Sequence, residues 1–507
     1  MAKLHEAQGK TLLREHGIRT PEGALASTPE EARQVAQELS RPVVVKGQAW
    51  VTGRADRDLI RFAADPENAQ MAASEILGRL VAGQPVEQVL VEEQVDCERE
   101  FYAGVIIDDQ AQSPLLIFSS MGGTGIETIA RSHPERIVRQ HINVKDGLPG
   151  YEARNLVRSL DIHGKLLVGL GNLLASLYES ASAYDARSAE INPIALTRDG
   201  KLLALDCRMT IDDNAAYRHP DLGIEVAREY DRPPTRLERI AWQVEAGDYR
   251  GTFYFIQMEY DYAHGDGVIG FHGAGGGGSM MSMDAVINRG YKLANFVDTS
   301  GNPPASKVYR AARIILNQGP IDGYFASGSG VASQEQFHSA RGLVKAFMEE
   351  PLTVPAVLRL GGNAEQRAIA IIERAQAEIP APVEAYGKDD SPEKCAERLD
   401  FLISSYSPPA ERPTGRFPPD AAEPYQFSTI TGGTVTLDHA ACRRCDSKIC
   451  LDTCIPQILS LEENVPVLNI SREQAHKGGC IECLACQVEC YFEGNRGGSV
   501  LLPIEGL

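Results

Sequence analysis

The 507-residue chain has little of several things, and each shortage narrows what it can be. No run approaches the ~20 consecutive apolar residues that a membrane-spanning helix needs, so no span is expected. Positive charge is scarce: 50 Lys and Arg face 69 Asp and Glu, for a net charge of −19. That balance argues against nucleic-acid binding, which relies on basic patches to release counterions from phosphates. An anionic substrate must then be met by a local cluster of donors, not by the overall field. The opening MAKLHEAQGK carries no apolar leader, so a cytoplasmic location is expected. Before residue 442 the only cysteines are Cys97, Cys207 and Cys395, each expected to be a small buried thiol.

The other eight of the eleven cysteines fall between Cys442 and Cys490. They form two runs, Cys442-x2-Cys445-x4-Cys450-x3-Cys454 and Cys480-x2-Cys483-x2-Cys486-x3-Cys490. Four thiolates per run suit a [4Fe–4S] cluster, and the second run has two-cluster ferredoxin spacing, in which the fourth cysteine crosses to the other cluster. We expect Cys442, Cys445, Cys450 and Cys490 on one cluster, and Cys454, Cys480, Cys483 and Cys486 on the other. The proline usual after the last cysteine is displaced to Pro456 in the first run and replaced by Tyr491 in the second. Two structural zinc sites would also use CxxC pairs, usually as separated pairs per metal, whereas three close cysteines plus a fourth favour the cube. A disulfide framework fits least, in a chain that is thiol-poor before its tail.

Length allows roughly three domains. Residues 1–225 alternate short apolar strands with amphipathic helices, an α/β pattern. Lys46 ends the apolar strand from Pro42, where a buried cation needs an anionic partner such as a nucleotide phosphate. Glu92 and Glu100 flank the turn between two strands, placed for the edge of a base or ribose. Glu190, Asn192 and Asp206 fall on two strands that read as one hairpin, with Glu190 and Asn192 on one face and Asp206 opposite. Such oxygen ligands hold Mg2+ beside phosphates.

Residues 226–266 read as a connector, from Pro233-Pro-Thr-Arg to an acidic stretch. Residues 267–378 open a second α/β domain: strand Gly267 to Phe271, turn His272-Gly-Ala-Gly-Gly-Gly-Gly278, helix, then strand Ala294 to Asp298. Taken alone this is a dinucleotide fingerprint, and an NAD-linked oxidoreductase is one reading. Residues 379–438, with Pro408, Pro409, Pro413, Pro418, Pro419 and Pro424 among charges, read as a linker to a small ferredoxin-like module at 439–507.

The first 225 or so residues resemble the β subunit of succinyl-CoA synthetase (ADP-forming), an ATP-grasp protein. The likeness rests on Leu4-His-Glu-Ala-Gln8, Val44-Val-Lys46, Gly53-Arg54, Val89-Leu-Val-Glu92, Glu190-Ile-Asn-Pro193, Leu205-Asp206 and Pro220-Asp-Leu222. It implies that ATP meets Lys46 at its phosphates and Glu100 at its ribose, and that Asn192 with Asp206 holds Mg2+. Glu190 would match the family glutamate facing the phosphohistidine brought by a CoA-binding α subunit. The resemblance continues through Ala294-Asn-Phe-Val-Asp298 and Ala356 to Glu365. It implies a flavodoxin-like, Rossmann-like CoA-ligase domain whose glycine turn binds no dinucleotide, and a structural His272.

The chain also departs from the family. After Gly53-Arg54 the glycine-rich loop gives way to Ala55-Asp-Arg-Asp58, whose carboxylates repel phosphate. Met121 replaces a family glutamate ahead of Gly122 and Gly123. Ser327-Gly-Ser-Gly-Val-Ala-Ser333 stands where Arg-Cys-Asp would help form the acid site. The expected function is a nucleotide-binding β-type subunit of an acyl-CoA synthetase-like ligase, making acyl-CoA, ADP and phosphate with an α-like partner. Its iron–sulfur module would exchange electrons with a ferredoxin, flavoprotein or reductase. The alternative is an electron-transfer adaptor on a non-catalytic synthetase scaffold.

Overall fold

The computed structural model describes residues 2–507 apart from 52, 56, 82, 83, 124, 125, 229, 231, 329, 331, 410–412 and 417–419. Asp56, Ser329, Val331, Pro418 and Pro419, singled out above, lie outside the described residues. The chain divides into two compact units, Met1–Pro234 and Thr235–Leu507. Among the described residues no helix is long and apolar enough to cross a membrane.

Besides a two-stranded ribbon of Leu80–Val81 and Gln84–Pro85, the first unit has two larger antiparallel sheets. The smaller one orders Gly23–Ala26, Val89–Glu93, Val43–Gly47 and Ile60–Ala63. Val43, Val45, Val89 and Val91 point into one core with Ala32, Ala36, Ala69 and Ala73 of the covering helices. Those helices, Pro29–Leu39 and Pro66–Ile76, start where Thr28 and Asp65 accept the N–H of Glu31 and Asn68. The two-residue period then sends Lys46 and Glu92 to the other face, diagonally placed because Val44 pairs with Glu92 and Lys46 with Leu90. The larger sheet runs Ala2–Lys3, Arg208–Ile211, Ala186–Thr197, Cys97–Asp108, Ser113–Ser119 and Ile137–His141. Its apolar face is covered by helices Gly150–Arg158 and Gly164–Ala183, through Leu156, Val157, Leu170 and Leu174.

The second unit is built from α1 (Arg236–Ala246), β1 (Tyr254–Gln257), β2 (Val268–Ala274), α2 (Gly276–Ile287), β3 (Asn295–Asp298), α3 (Ala305–Leu316), β4 (Gly323–Gly328), α4 (Phe337–Glu349), β5 (Ala356–Arg359), α5 (Glu365–Ala375), β6 (Val383–Tyr386) and α6 (Pro392–Ser405). The sheet order is β1-β3-β2-β4-β5-β6, parallel except for β1. The chain winds outward in both directions from between β2 and β4, so the carboxyl ends of these strands face a crevice at the switch point.

Two sequence boundaries are corrected by this sheet. The expected connector 226–266 contains α1 and β1, which adds an edge strand antiparallel to β3. The expected linker from 379 contains β6, paired in parallel with β5, and α6, whose Cys395, Ala396, Leu399 and Leu402 are buried in the sheet's second core. The physical reason is brevity: both strands are four residues long, so their alternation is too brief to register in sequence.

The tail begins earlier than residue 439. Strands β7 (Pro424–Ser428), β8 (Thr434–Asp438) and β9 (Gly498–Leu501) form one antiparallel sheet, and helices α7 (Ile449–Asp452) and α8 (Ala485–Glu493) carry cysteines. Phe427, Leu437, Leu484, Val488, Val500 and Leu502 belong to the same buried cluster as Leu343, Phe347 and Ile372 of α4 and α5. The module is therefore docked on the α/β layer and does not swing on a tether. Leu502→Ala, which removes a buried side chain from that joint core, is expected to cost about 2–5 kcal/mol. Chemical denaturation should register the loss across the whole second unit, and a tail transition separate from that of the α/β layer would contradict the shared core.

Candidate functional site

Helix Glu6–Glu15 of the first unit sends Glu6 and Lys10 toward Lys46 on strand Val43–Gly47. Lys46 Nζ lies 3.0 Å from Glu6 Oε1 and 2.5 Å from Glu92 Oε1. Lys10 Nζ lies 2.7 Å from Glu6 and 2.6 Å from Glu92. Both ammonium groups also donate to the Leu205 carbonyl, at 2.7 and 2.8 Å. Arg54 closes the cage, with Nη1 2.6 Å from Glu6 Oε2 and Nη2 2.7 Å from Asp206 Oδ1. Three cations and three carboxylates thus meet, and all but Asp206 are held at 10% exposure or less.

Burial alone would drive these charges toward neutrality. For Glu6 it is outweighed by Lys46, Lys10 and Arg54, which hold the carboxyl well below the usual range. Burial likewise opposes the Lys46 charge, but Glu6, Glu92 and Asp206 hold its ammonium above the ordinary value. Glu92, expected at a base or ribose edge, is instead a buried counter-ion, because the sheet register puts it beside Lys46.

Asn192 and Asp206 each adjoin one rung of a hairpin, where Leu205 N–H donates to the Pro193 carbonyl at 3.0 Å. Asn192 Oδ1 accepts the Gly123 N–H at 3.0 Å, and a Cβ on Gly123 would stand 2.3 Å from Glu100 Oε2. With φ at +81°, that position favours glycine. Gly53, also left-handed at +64°, is exposed beside Arg54. Glu190 lines one cavity of about 120 Å3 with Glu6 and Arg54. That volume is below the roughly 300–1,000 Å3 of small-molecule sites, and suits a phosphoryl group better than a whole nucleotide. The structure therefore gathers Lys46, Arg54, Glu92, Glu190, Asn192, Asp206 and Glu100 in one region. Sequence reasoning missed Glu6 and Lys10 as participants, although the Leu4-His-Glu-Ala-Gln8 segment was in view.

In the second unit, His272, Thr299, Ser327 and Arg359 line a small cavity at the carboxyl ends of β2–β5. His272 Nδ1 is 2.6 Å from the Tyr324 hydroxyl, and burial lowers its pKa to about 3, so the ring is neutral. Arg359 spends its donors on the carbonyls of Asp390, Gly328 and Lys388 at 2.5, 3.0 and 3.1 Å. Asp298, the acid of the dinucleotide fingerprint, accepts the N–H of Gly275 and Ser300 at 2.9 and 2.8 Å. It braces the glycine turn and does not reach outward for a ribose.

The tail cysteines are brought together in two groups. Burial and the charges of Cys450, Cys490 and Cys445 push the Cys442 thiol up to about 12. Burial, then Cys490, Cys445 and Cys454, does the same for Cys450. Cys480 is pushed up to about 12 by burial, with Cys483 and Cys454 as its thiol neighbours. Burial raises Cys486 well above its usual value, aided by Cys483, Cys480 and Cys454. Backbone amides aim at these sulfurs: Gly498, Gly497 and Arg496 toward Cys490, and Ile458, Gln457 and Leu459 toward Cys454. Close approach needs glycine, since a Cβ on Gly494 or Gly497 would stand 3.2 Å from Cys490 Sγ or 3.3 Å from Cys442 Sγ. Among the described residues no three His, Cys, Asp or Glu side chains converge on the position of one metal ion.

Comparison with known proteins bears on both units. Residues 3–196 match the ATP-grasp domain family, and residues 263–395 the ATP citrate lyase citrate-binding family. The GDP-forming succinate–CoA ligase β subunit of Thermus thermophilus is 36% identical over 370 residues, 73% of this chain and 93% of that protein. The chain belongs to the succinate–CoA ligase β-subunit family. The ADP-forming β subunit of Deinococcus radiodurans is 34% identical over 379 residues, covering 74% of this chain and 94% of its own length. These succinate–CoA ligase relatives are nearly spanned end to end, so this member is the longer protein. ATP citrate lyase from Methanothrix soehngenii shares the fold, with a TM-score of 0.57 at 18% identity, over 79% of this chain and 99% of that one.

Within this succinate–CoA ligase frame the charge cage sets the acid stability of the first unit. Glu6 has a lowered folded-state pKa, so its contribution is complete above the unfolded carboxyl value of ~4.3 and is lost as pH falls below it. Glu6→Gln leaves buried cations short of a partner and is expected to cost about 3–5 kcal/mol at pH 7. Denaturation followed against pH should also show a flatter acid limb in the variant; an unchanged limb would refute the role of Glu6.

Proposed function

We propose that this chain is the nucleotide-binding subunit of an acid–CoA ligase complex with a built-in electron-transfer module. The carrying observation is the buried charge cage that holds Lys46, Arg54 and Asp206 together, with Arg54 also lining a phosphoryl-sized cavity beside Glu190. In this reading Mg-ATP enters by exchanging its phosphates for the internal carboxylates that now hold Lys46 and Arg54. Asp206 and Asn192 supply the two oxygen ligands for Mg2+, which would neutralise charge on the phosphates. Glu190 faces a phosphohistidine brought by a CoA-binding α-type partner, as the succinate–CoA ligase family suggests. The overall reaction is acid, CoA and ATP giving acyl-CoA, ADP and phosphate, with the acid received at the glycine-lined crevice of the second unit.

The tail fits two [4Fe–4S] clusters. Buried thiols that raise one another's pKa keep their protons at neutral pH, and iron charge is what would let all four ionise. Amides aimed at sulfur and glycines that keep the approach open belong to the same design. When bound, the clusters supply single-electron transfer. The chain itself holds them in the fixed docking described above, for exchange with a ferredoxin, flavoprotein or reductase.

A second reading, an electron-transfer adaptor on a non-catalytic synthetase scaffold, is favoured by one observation. Lys46 and Arg54 are already neutralised, and Ala55 to Asp58 replaces the glycine-rich loop.

Titration of anaerobically purified protein with Mg-ATP by calorimetry separates the two readings, with Lys46→Ala and Asp206→Ala as controls. Binding that is lost at least tenfold in both variants is expected; silence at millimolar nucleotide would leave only the adaptor. On the same sample we expect about eight iron and eight sulfide per chain. Cys486→Ser should cut iron to about half, and stoichiometric zinc in place of iron would end the redox reading.

A further inference from the structure

A cavity of about 460 Å3 lies in the second unit between α1, the first two turns of α3 and the end of the tail. Its volume is within the roughly 300–1,000 Å3 of small-molecule sites. None of the residues placed at the sites above lines it. Ile240 of α1 is buried in the core, and Val244 and Ile504 pack against that core from α1 and from the tail to make an apolar wall. Thr431, Pro503, Ile504 and Glu505 all lie past residue 395, where the second family match ends. The cavity therefore exists only because the tail is docked on the α/β layer.

Both cations on its wall are already engaged. Lys307 lies 2.5 Å from Asp248 and donates to the carbonyls of Arg250 and Thr252. Arg310 is turned to the tail, donating to Thr431 Oγ1 at 2.7 Å and to the Pro503 carbonyl at 3.4 Å, with Glu482 at 3.9 Å. What stays open is the start of α3. The first amides of a helix have no carbonyl one turn earlier to bond, and the N-cap here is Pro304, whose side chain makes no cap hydrogen bond. The Ser306 hydroxyl, 1% exposed on the cavity wall, has no partner among the described residues. Donors are thus gathered at the positive end of a twelve-residue helix without an acceptor. Asp248 and Glu505 share the lining, so a multiply charged phosphate would meet two carboxylates.

We propose that this cavity binds a monocarboxylic acid with an apolar body. The carboxylate caps α3, accepting from its first-turn amides and from the Ser306 hydroxyl, which is the role the Pro304 side chain cannot fill. The body lies against Ile240, Val244 and Ile504. Because one wall belongs to α1 and the other to the tail, an occupied site also fastens the tail to the α/β layer. The inference rests on neither the nucleotide reading nor the iron–sulfur reading.

The test is calorimetric titration of the full chain with 3-phenylpropionate, its neutral amide and phenyl phosphate. The acid should bind about tenfold more tightly than either of the others, and should raise the thermal midpoint of the second unit as its concentration rises. Val244→Phe and Ile504→Trp fill the apolar end from α1 and from the tail, and each should weaken the acid about tenfold. Ser306→Ala removes a hydroxyl that bonds nothing in the empty site, so it should fold as the parent does and weaken the acid about threefold to tenfold. No binding of the acid at millimolar concentration, or equal or tighter binding of the amide or phenyl phosphate, would overturn the proposal. So would folded filling variants that bind the acid unchanged, since the acid would then sit elsewhere, as at the crevice of His272 and Arg359. If one filling variant fails to fold the other decides, and if both fail an unmoved Ser306→Ala overturns the proposal equally.

Discussion

A charge taken out of water must meet an opposite charge, and this chain buries many. In the first unit the constraint gathers Glu6, Lys10, Lys46, Arg54, Glu92 and Asp206 into a balanced cage from helix, strands and loop far apart in sequence. In the second it ties Arg341 and Arg374 to Glu489. Neither set is an efficient source of stability, because removing charges from water costs about what their attraction returns. Their effect is on placement. A lone member left behind would be heavily penalised, so each set holds its elements in one arrangement.

That same constraint explains which parts of the site were legible in the sequence. A lysine closing an apolar strand announces a buried cation, and Lys46 is one. The hairpin that carries Asn192 and Asp206 was readable because strand alternation and a short return are local, and strands Ala186–Thr197 and Leu202–Ala204 do pair. The identity of the partners was not readable. Glu92 carries the same chemistry whether it faces a ribose or a lysine, and only the register of its strand against Val43–Gly47 decides. Glu6 sits forty residues from Lys46, and nothing local in its helix declares that distance closed.

Domain organisation shows the same division. Cysteine spacing marked the tail off from the rest of the chain because it is a short-range pattern. The limits of the α/β layer did not show, since β1 and β6 are four residues long and owe their place to neighbouring strands. The proline-rich stretch invited a picture of a flexible tether, yet the strand that follows it, β7, adds Phe427 to the core shared with α4. The order of glycine turn, helix and acid likewise fits a dinucleotide fold, while Asp298 is turned inward to hold its own loop.

The shared core has a consequence for how such a protein could arise or be dissected. A fused module on a tether can be cut away to leave the parent enzyme intact. Here, ending the chain ahead of Pro424 would bare Phe347 and Leu343 and strip Arg341 of its carboxylate. The shortened ligase would have a sticky flank and an unmatched interior charge, where the full chain has neither. The joint therefore binds both parts: neither could be made independent without repairing the surface it leaves on the other.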